Sequence, residues 1–271
     1  MHNRESYSIG IFDSGVGGLT IKRQLMRHLP QESMIYFGDT ARIPYGNKSC
    51  ETIVRYSIEN AFFLMEQNIK LLVVACNTAS AFAIPKLRQI FNIPVIGVIE
   101  PGAEKAAQVT KNQRIAIIGT RGTIQSGAYQ QELKRLLPQA TILAYPCPLF
   151  VPLVEEGFLH HPAAELIIKE YLAPIKSQQV DTLLLGCTHY PFLETLIQQE
   201  MGPTVHLVDP AAACAEQVAL LLQKQGMNAK SLAPPTYHYY VSDDPHKFQE
   251  LSERLFGYSI HPQKAPSLLQ A

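Results

Sequence analysis

The chain has 271 residues, 23 of them basic and 23 acidic, with no run of either sign, so no nucleic-acid or membrane-surface partner is suggested. A prior of roughly 100 to 200 residues per domain suggests two domains. The opening MHNRESYS is polar, and no apolar run approaches the about 20 residues that span a bilayer, so no membrane partner and a cytoplasmic location are expected.

Ile9 to Phe12 reads as a buried strand, and DSGVGGLT as the turn into a helix reaching about His28. The glycines permit close backbone approach to a ligand, with Asp13 and Ser14 at the strand's mouth. They do not make a nucleotide site, because Thr20 stands where the dinucleotide pattern needs its third glycine and no Walker lysine follows. Met34 to Gly38 is a second strand, and DTARIPYGNKS a loop whose Tyr45 either caps the core or meets a ligand. A helix from about Cys50 to Gln67 leads to the strand LLVVAC. The next helix, Thr78 to Phe91, is expected to break or restart at Pro85, and Pro94 to Ile99 to form a strand.

The alternation then repeats. Arg114 to Gly119 is a strand, followed by a helix to Leu137, a strand from Thr141 to Tyr145, and the proline-punctuated insertion PCPLFVPLVEEGF carrying Glu155 and Glu156. A helix from His161 to Leu172 has Pro162 in its first turn, Thr182 to Leu185 is a strand ending at Cys187, and Pro191 suits the start of a further helix. Val205 to Val208 is a strand and Ala211 to Gln225 a helix. Tyr237 to Val241 and Pro245 to Phe256 are left as an extra strand and helix. The class is therefore α/β with parallel sheets.

Landmarks recur. Cys76 lies 63 residues after Asp13 and Cys187 lies 67 after Thr120, while Pro101 and Pro210 follow the two cysteines by 25 and 23. This describes two similar α/β domains related by a pseudo-twofold axis, with the site in the cleft between them. The leftover strand and helix return to the first domain, giving 1–98 plus 210–271 as one domain and 99–209 as the other. Five cysteines without an export signal do not suggest disulfides, and Cys50, Cys147 and Cys214 are read as small buried hydrophobes. Cys76 and Cys187, each at a strand end and followed by polar residues, approach one cleft from opposite sides. Two acid–base groups on opposite faces of a planar intermediate are what inverting a stereocentre requires. The helix N-termini that follow are expected to lower the thiol pKa.

DSGVGG, DTARIPYG, ACNTAS, CPLFVPLVEEG and GCTHYP, in this order, resemble the cofactor-independent aspartate/glutamate racemase superfamily, and within it the glutamate racemases; the resemblance runs through Pro210. It implies Cys76 and Cys187 as the catalytic bases, supported by Asp13, Glu155 and His189. It also implies substrate contacts at Asp13, Ser14, Tyr45, Gly46, Asn77, Thr78, Thr188 and His189. It further implies L- and D-glutamate as ligands, no cofactor and no metal, D-glutamate supply for peptidoglycan, and a homodimer. Only twelve residues precede Asp13, short for members activated by a cell-wall precursor through an N-terminal extension. Aspartate is the rival substrate, and a two-lobed binding protein the rival class. A zinc site lacks a second ligand pair, and a redox pair lacks a C-x-x-C.

Overall fold

A computed structural model describes residues 7–230 and 233–266. Most of the polar leader, and with it the expectation about an N-terminal extension, lies outside those residues. The first sheet takes β1 (Ser8–Asp13), β2 (Met34–Gly38), β3 (Ile69–Val74) and β4 (Val95–Gly97), joined by α1 (Leu19–His28), α2 (Cys50–Glu66) and α3 (Asn77–Ile90). The helix α4 (Ile99–Val109) leads to the second sheet. Its strands are β5 (Arg114–Gly119), β6 (Thr141–Pro146), β7 (Thr182–Gly186) and β8 (His206–Val208). Between them lie α5 (Arg121–Ser126), α6 (Ala128–Leu136), α7 (Phe150–Glu155), α8 (Pro162–Lys176) and α9 (Glu194–Met201). After them come α10 (Pro210–Gln225), β9 (Tyr237–Val241), α11 (Pro245–Phe256) and β10 (Gln263–Lys264).

The strand orders are β10-β9-β2-β1-β3-β4 and β6-β5-β7-β8, and every pairing is parallel. Without the added β9 and β10, both sheets run second-first-third-fourth, so the halves share one topology. β1, β2, β3 and β7 are almost wholly buried, as expected of parallel strands covered by helices on both faces. Ile99, Ala103 and Ala106 of α4 join the core of the second sheet with Ile115 and Ile117. Ala211, Cys214, Ala215 and Val218 of α10 join the core of the first with Ile9 and Ile11.

Several boundaries differ from the sequence expectation, among them α8, which runs on to Lys176, and α9, which starts at Glu194 after a 3-10 turn over Tyr190–Leu193. The helix after β5 is two helices, because Gly127 takes φ 70, a left-handed turn that ends α5 and turns the chain into α6. α3 runs unbroken through Pro85. The proline removes one backbone donor, but buried Ala83, Ile84 and Leu87 on either side hold the helix against the first core. β4 stops at Gly97 because Val98 already has helical dihedrals and caps α4.

Candidate active site

The cavity between the halves has a volume of about 290 Å³. That is at the small end of ligand pockets, room for a molecule of amino-acid size and not for a dinucleotide. Its walls come from the carboxyl ends of the central strands: Ser14 after β1, Cys76, Asn77 and Thr78 after β3, Thr120 and Arg121 after β5, Cys187, Thr188 and His189 after β7. The loop 43–47 and the α7 segment, with Glu155 and Glu156, close the mouth.

On the first side, Cys76 caps the N-terminus of α3, is 6% exposed, and reaches the Ser14 hydroxyl with its thiol at 3.8 Å. Behind Ser14, Asp13 is fully buried; its Oδ2 accepts from the N–H groups of Gly15 and Gly18, both at 3.0 Å, while Oδ1 has no partner. Burial raises the Asp13 pKa, with His189 and the Gly15, Gly18 and Ser14 amides pulling the other way. The Cys76 thiol is pushed up to about 12 by burial and then by the Asp13 charge. This corrects the expectation that the helix N-terminus would lower it: the Ala79 amide does act downward, but desolvation in a closed cleft outweighs a terminal dipole.

On the second side, His189 is buried, with Nδ1 3.9 Å from Cys187 Sγ and Nε2 3.0 Å from Glu155 Oε1. Burial disfavours the imidazolium, yet contacts with Cys187 and Glu155 outweigh it and raise the His189 pKa to about 10. Both neighbours favour the charged form of the ring, which is aimed at one thiol and held by one carboxylate. Arg254 of α11 donates to the Glu155 carbonyl, tying α7 to the other half.

The two halves meet through small residues and hydroxyls. A Cβ on Gly17 would stand 2.6 Å from His189 Nδ1 and closer still to the Thr188 hydroxyl, so the glycine-rich turn approaches the opposite half. The cavity wall carries Ser14 from that turn but none of its glycines. Thr78 Oγ1 lies 2.9 Å from Thr120 Oγ1 and 3.0 Å from Thr123 Oγ1. The Tyr129 hydroxyl donates to Asn77 Oδ1 at 2.6 Å.

Of the residues singled out in the sequence, Cys76, Cys187, Glu155, His189, Ser14, Tyr45, Gly46, Asn77, Thr78 and Thr188 all border the cavity, and Asp13 lies directly behind it. Tyr45 borders the cavity without turning its hydroxyl into it. Its hydroxyl donates to Asp39 and accepts from Asn60 Nδ2 at 3.0 Å, so it is engaged away from a ligand. Asp39 is itself gripped by Arg42 Nε at 2.7 and 2.9 Å. Thr120 and Arg121 were not singled out as site residues. Thr120 already stood as the landmark matching Asp13, and the repeat places Arg121 opposite Ser14. Cys147 and Cys214 are buried away from the cavity, and Cys50 is exposed, against the expectation for it, because it opens α2 at the surface.

Two thiols border one cavity between two sheets of one topology, and similarity to known proteins gives the chain its class and family. Residues 19–218 match the family described as Asp/Glu/Hydantoin racemase, and the chain belongs to it. A glutamate racemase of Geobacter metallireducens is 51% identical over 250 residues, covering 92% of this chain and 93% of that one. The crystal structure of glutamate racemase isoform RacE1 from Bacillus anthracis superposes with a TM-score of 0.95 at 38% identity, covering 98% of this chain and all of that one. Glutamate racemase from Francisella tularensis, solved in complex with D-glutamate, gives 0.92 at 37% identity over 98% of this chain and 100% of that one. The protein is an isomerase, a racemase of this family.

Proposed function

We propose that the protein interconverts L- and D-glutamate by proton transfer at Cα between Cys76 and Cys187. The observation that carries this is the pair of thiols bordering one cavity from strand ends of equivalent rank, β3 and β7. In one direction a Cys76 thiolate takes the Cα proton, breaking the C–H bond and leaving its electron pair on Cα. The Cys187 thiol then delivers its proton to the opposite face, and in the other direction the roles exchange. Enantiomers have equal free energy, so matched bases suit the reaction. The substrate ammonium, brought beside a thiol that burial holds protonated, favours the thiolate. His189, held by Glu155, orients and exchanges protons with Cys187, while Asp13 does the equivalent for Cys76 from behind Ser14. Asn77, Thr78, Thr188 and the backbone of Tyr45–Gly46 bind the substrate.

The two domains of this reading are 1–98 with 210–271 and 99–209, supported by α10 packing in the first core and α4 in the second. The reading extends to a homodimer in a bacterial cytoplasm supplying D-glutamate for peptidoglycan, and so for cell-wall biogenesis and cell shape, by family resemblance. No helix among the described residues is long and apolar enough to cross a membrane.

Circular dichroism of D-glutamate incubated with metal-free, cofactor-free protein tests the activity: the signal should decay to zero, and an unchanged signal would leave a two-lobed binding protein. Aspartate is the alternative substrate. Its shorter chain cannot satisfy both carboxylate sites, and losing two charged hydrogen bonds in the transition state lowers kcat/KM by roughly two to four orders of magnitude. Comparable values for the two amino acids would favour a broad or aspartate-specific racemase.

A further inference from the structure

Tyr129 lies on α6, fully buried, and its hydroxyl crosses to the other half. Two acceptors stand near it: Asn77 Oδ1 at 2.6 Å and the Val98 carbonyl at 3.4 Å. Burial pushes its pKa well above the ordinary tyrosine value, so the phenol keeps its proton and has that one proton to give. The nearer acceptor takes it. Asn77 opens α3 beside Cys76, is 4% exposed, and borders the cavity.

We propose that Tyr129 is a positioning residue that fixes the sense of the Asn77 amide, so that Asn77 offers its two N–H donors to the cavity and recognises a substrate carboxylate. Were the amide reversed, its nitrogen would donate to the phenol oxygen, the phenol would turn to Val98, and a carbonyl oxygen would face the ligand. That arrangement suits an ammonium and repels a carboxylate. The hydroxyl therefore decides which end of an amino acid is read at this point. The sign of the group presented at Asn77 depends on a residue that itself stands clear of the cavity wall.

The inference rests on glutamate as the ligand, and its test separates the two. Binding of glutarate, which has both carboxylates and no ammonium, is measured by calorimetry on the intact protein, alongside glutamate kinetics. Tyr129→Phe should weaken glutarate and raise KM for glutamate by the same factor, about ten- to a hundred-fold for one charged hydrogen bond, with kcat changed less than about threefold. Combined with Asn77→Ala it should cost nothing further, because Tyr129 acts through Asn77. Asn77→Ala alone, which leaves Tyr129 untouched and adds no charge, should weaken glutarate about ten- to a hundred-fold, and unchanged glutarate affinity in it would overturn the proposal even if the phenylalanine variant folds poorly. Unchanged glutarate affinity in Tyr129→Phe with a raised glutamate KM would place the ammonium at Asn77 and overturn the proposal. So would additive losses in the double variant, which would mark Tyr129 as packing alone. Glutarate binding reports on Tyr129 whether or not the wild-type protein turns over glutamate, so failure of the parent reading remains distinct.

Discussion

Cys76 and Cys187 each follow the third strand of a sheet ordered second-first-third-fourth, Cys76 two residues beyond β3 and Cys187 one beyond β7, and both border the same cavity. Their surroundings are not equal. Cys187 faces the His189 ring backed by Glu155, whereas Cys76 lies beside a serine hydroxyl with a buried carboxyl behind it. In the two-thiol mechanism proposed above, matched placement with unmatched partners would let each thiol be set for its own enantiomer.

Replacing either Cys76 or Cys187 with alanine should lower racemisation by about 10²- to 10⁴-fold, the usual contribution of an acid–base group, with the melting temperature close to wild type. Cys50→Ala, Cys147→Ala and Cys214→Ala should keep activity, since none reaches the cavity. A Cys76 or Cys187 variant retaining more than a few per cent of the rate contradicts the two-thiol mechanism.

Gly17→Ala tests how closely the halves must approach. The added methyl would press on His189 and Thr188, and relieving it must move one half against the other or displace the imidazole. Overpacking of about 1 to 3 kcal/mol is expected. Felt at the site, this lowers kcat/KM by roughly ten- to a hundred-fold. Full activity in steady-state assays would show the contact to be slack.

Cys187 and Glu155 outweigh the effect of burial and raise the His189 pKa to about 10. Glu155→Gln keeps the shape and removes one of those charges, so the imidazolium should lose its proton at lower pH. The alkaline limb of the kcat/KM profile should then move toward neutrality. A limb that stays in place would mean that another group controls it.

Lys22, on α1, is buried with Nζ 2.8 Å from the Tyr239 hydroxyl and 4.3 and 4.6 Å from the rings of Tyr237 and Tyr239. Burial lowers its pKa from 10.5 to about 7, although the rings favour the cation. With the folded pKa depressed, the unfolded chain holds the extra proton between about pH 7 and 10.5. The contribution of Lys22 to stability is therefore full above that window and lost as pH falls through 7. Lys22→Met should flatten this rise and increase the melting temperature at pH 6 by a few degrees. An unaltered pH dependence of melting would show Lys22 titrating as an ordinary lysine.

The strands and the two thiols were legible because a parallel strand covered on both faces reads as an unbroken apolar run, and Cys76 and Cys187 end two such runs before polar residues. Gly127 and Pro85 were misread in opposite directions. A left-handed glycine split a continuous helical pattern, and tertiary packing carried a helix through a proline. Tyr45 and Tyr129 show the remaining limit. Which tyrosine turns its hydroxyl to Asp39 and which to Asn77 is set by residues brought together from distant segments. The Cys76 expectation failed on magnitude: the helix terminus is present, but burial has the larger effect.

Racemisation in deuterated water tests the two-thiol account most directly. The thiol that protonates the product carries solvent deuterium, while the thiol that removed the substrate proton rarely returns deuterium before the substrate leaves. Mass spectrometry of early reaction mixtures should find the product enantiomer labelled at Cα and the remaining substrate largely unlabelled, starting from either enantiomer. Equal early labelling of both enantiomers would contradict the account and point to one base serving both faces.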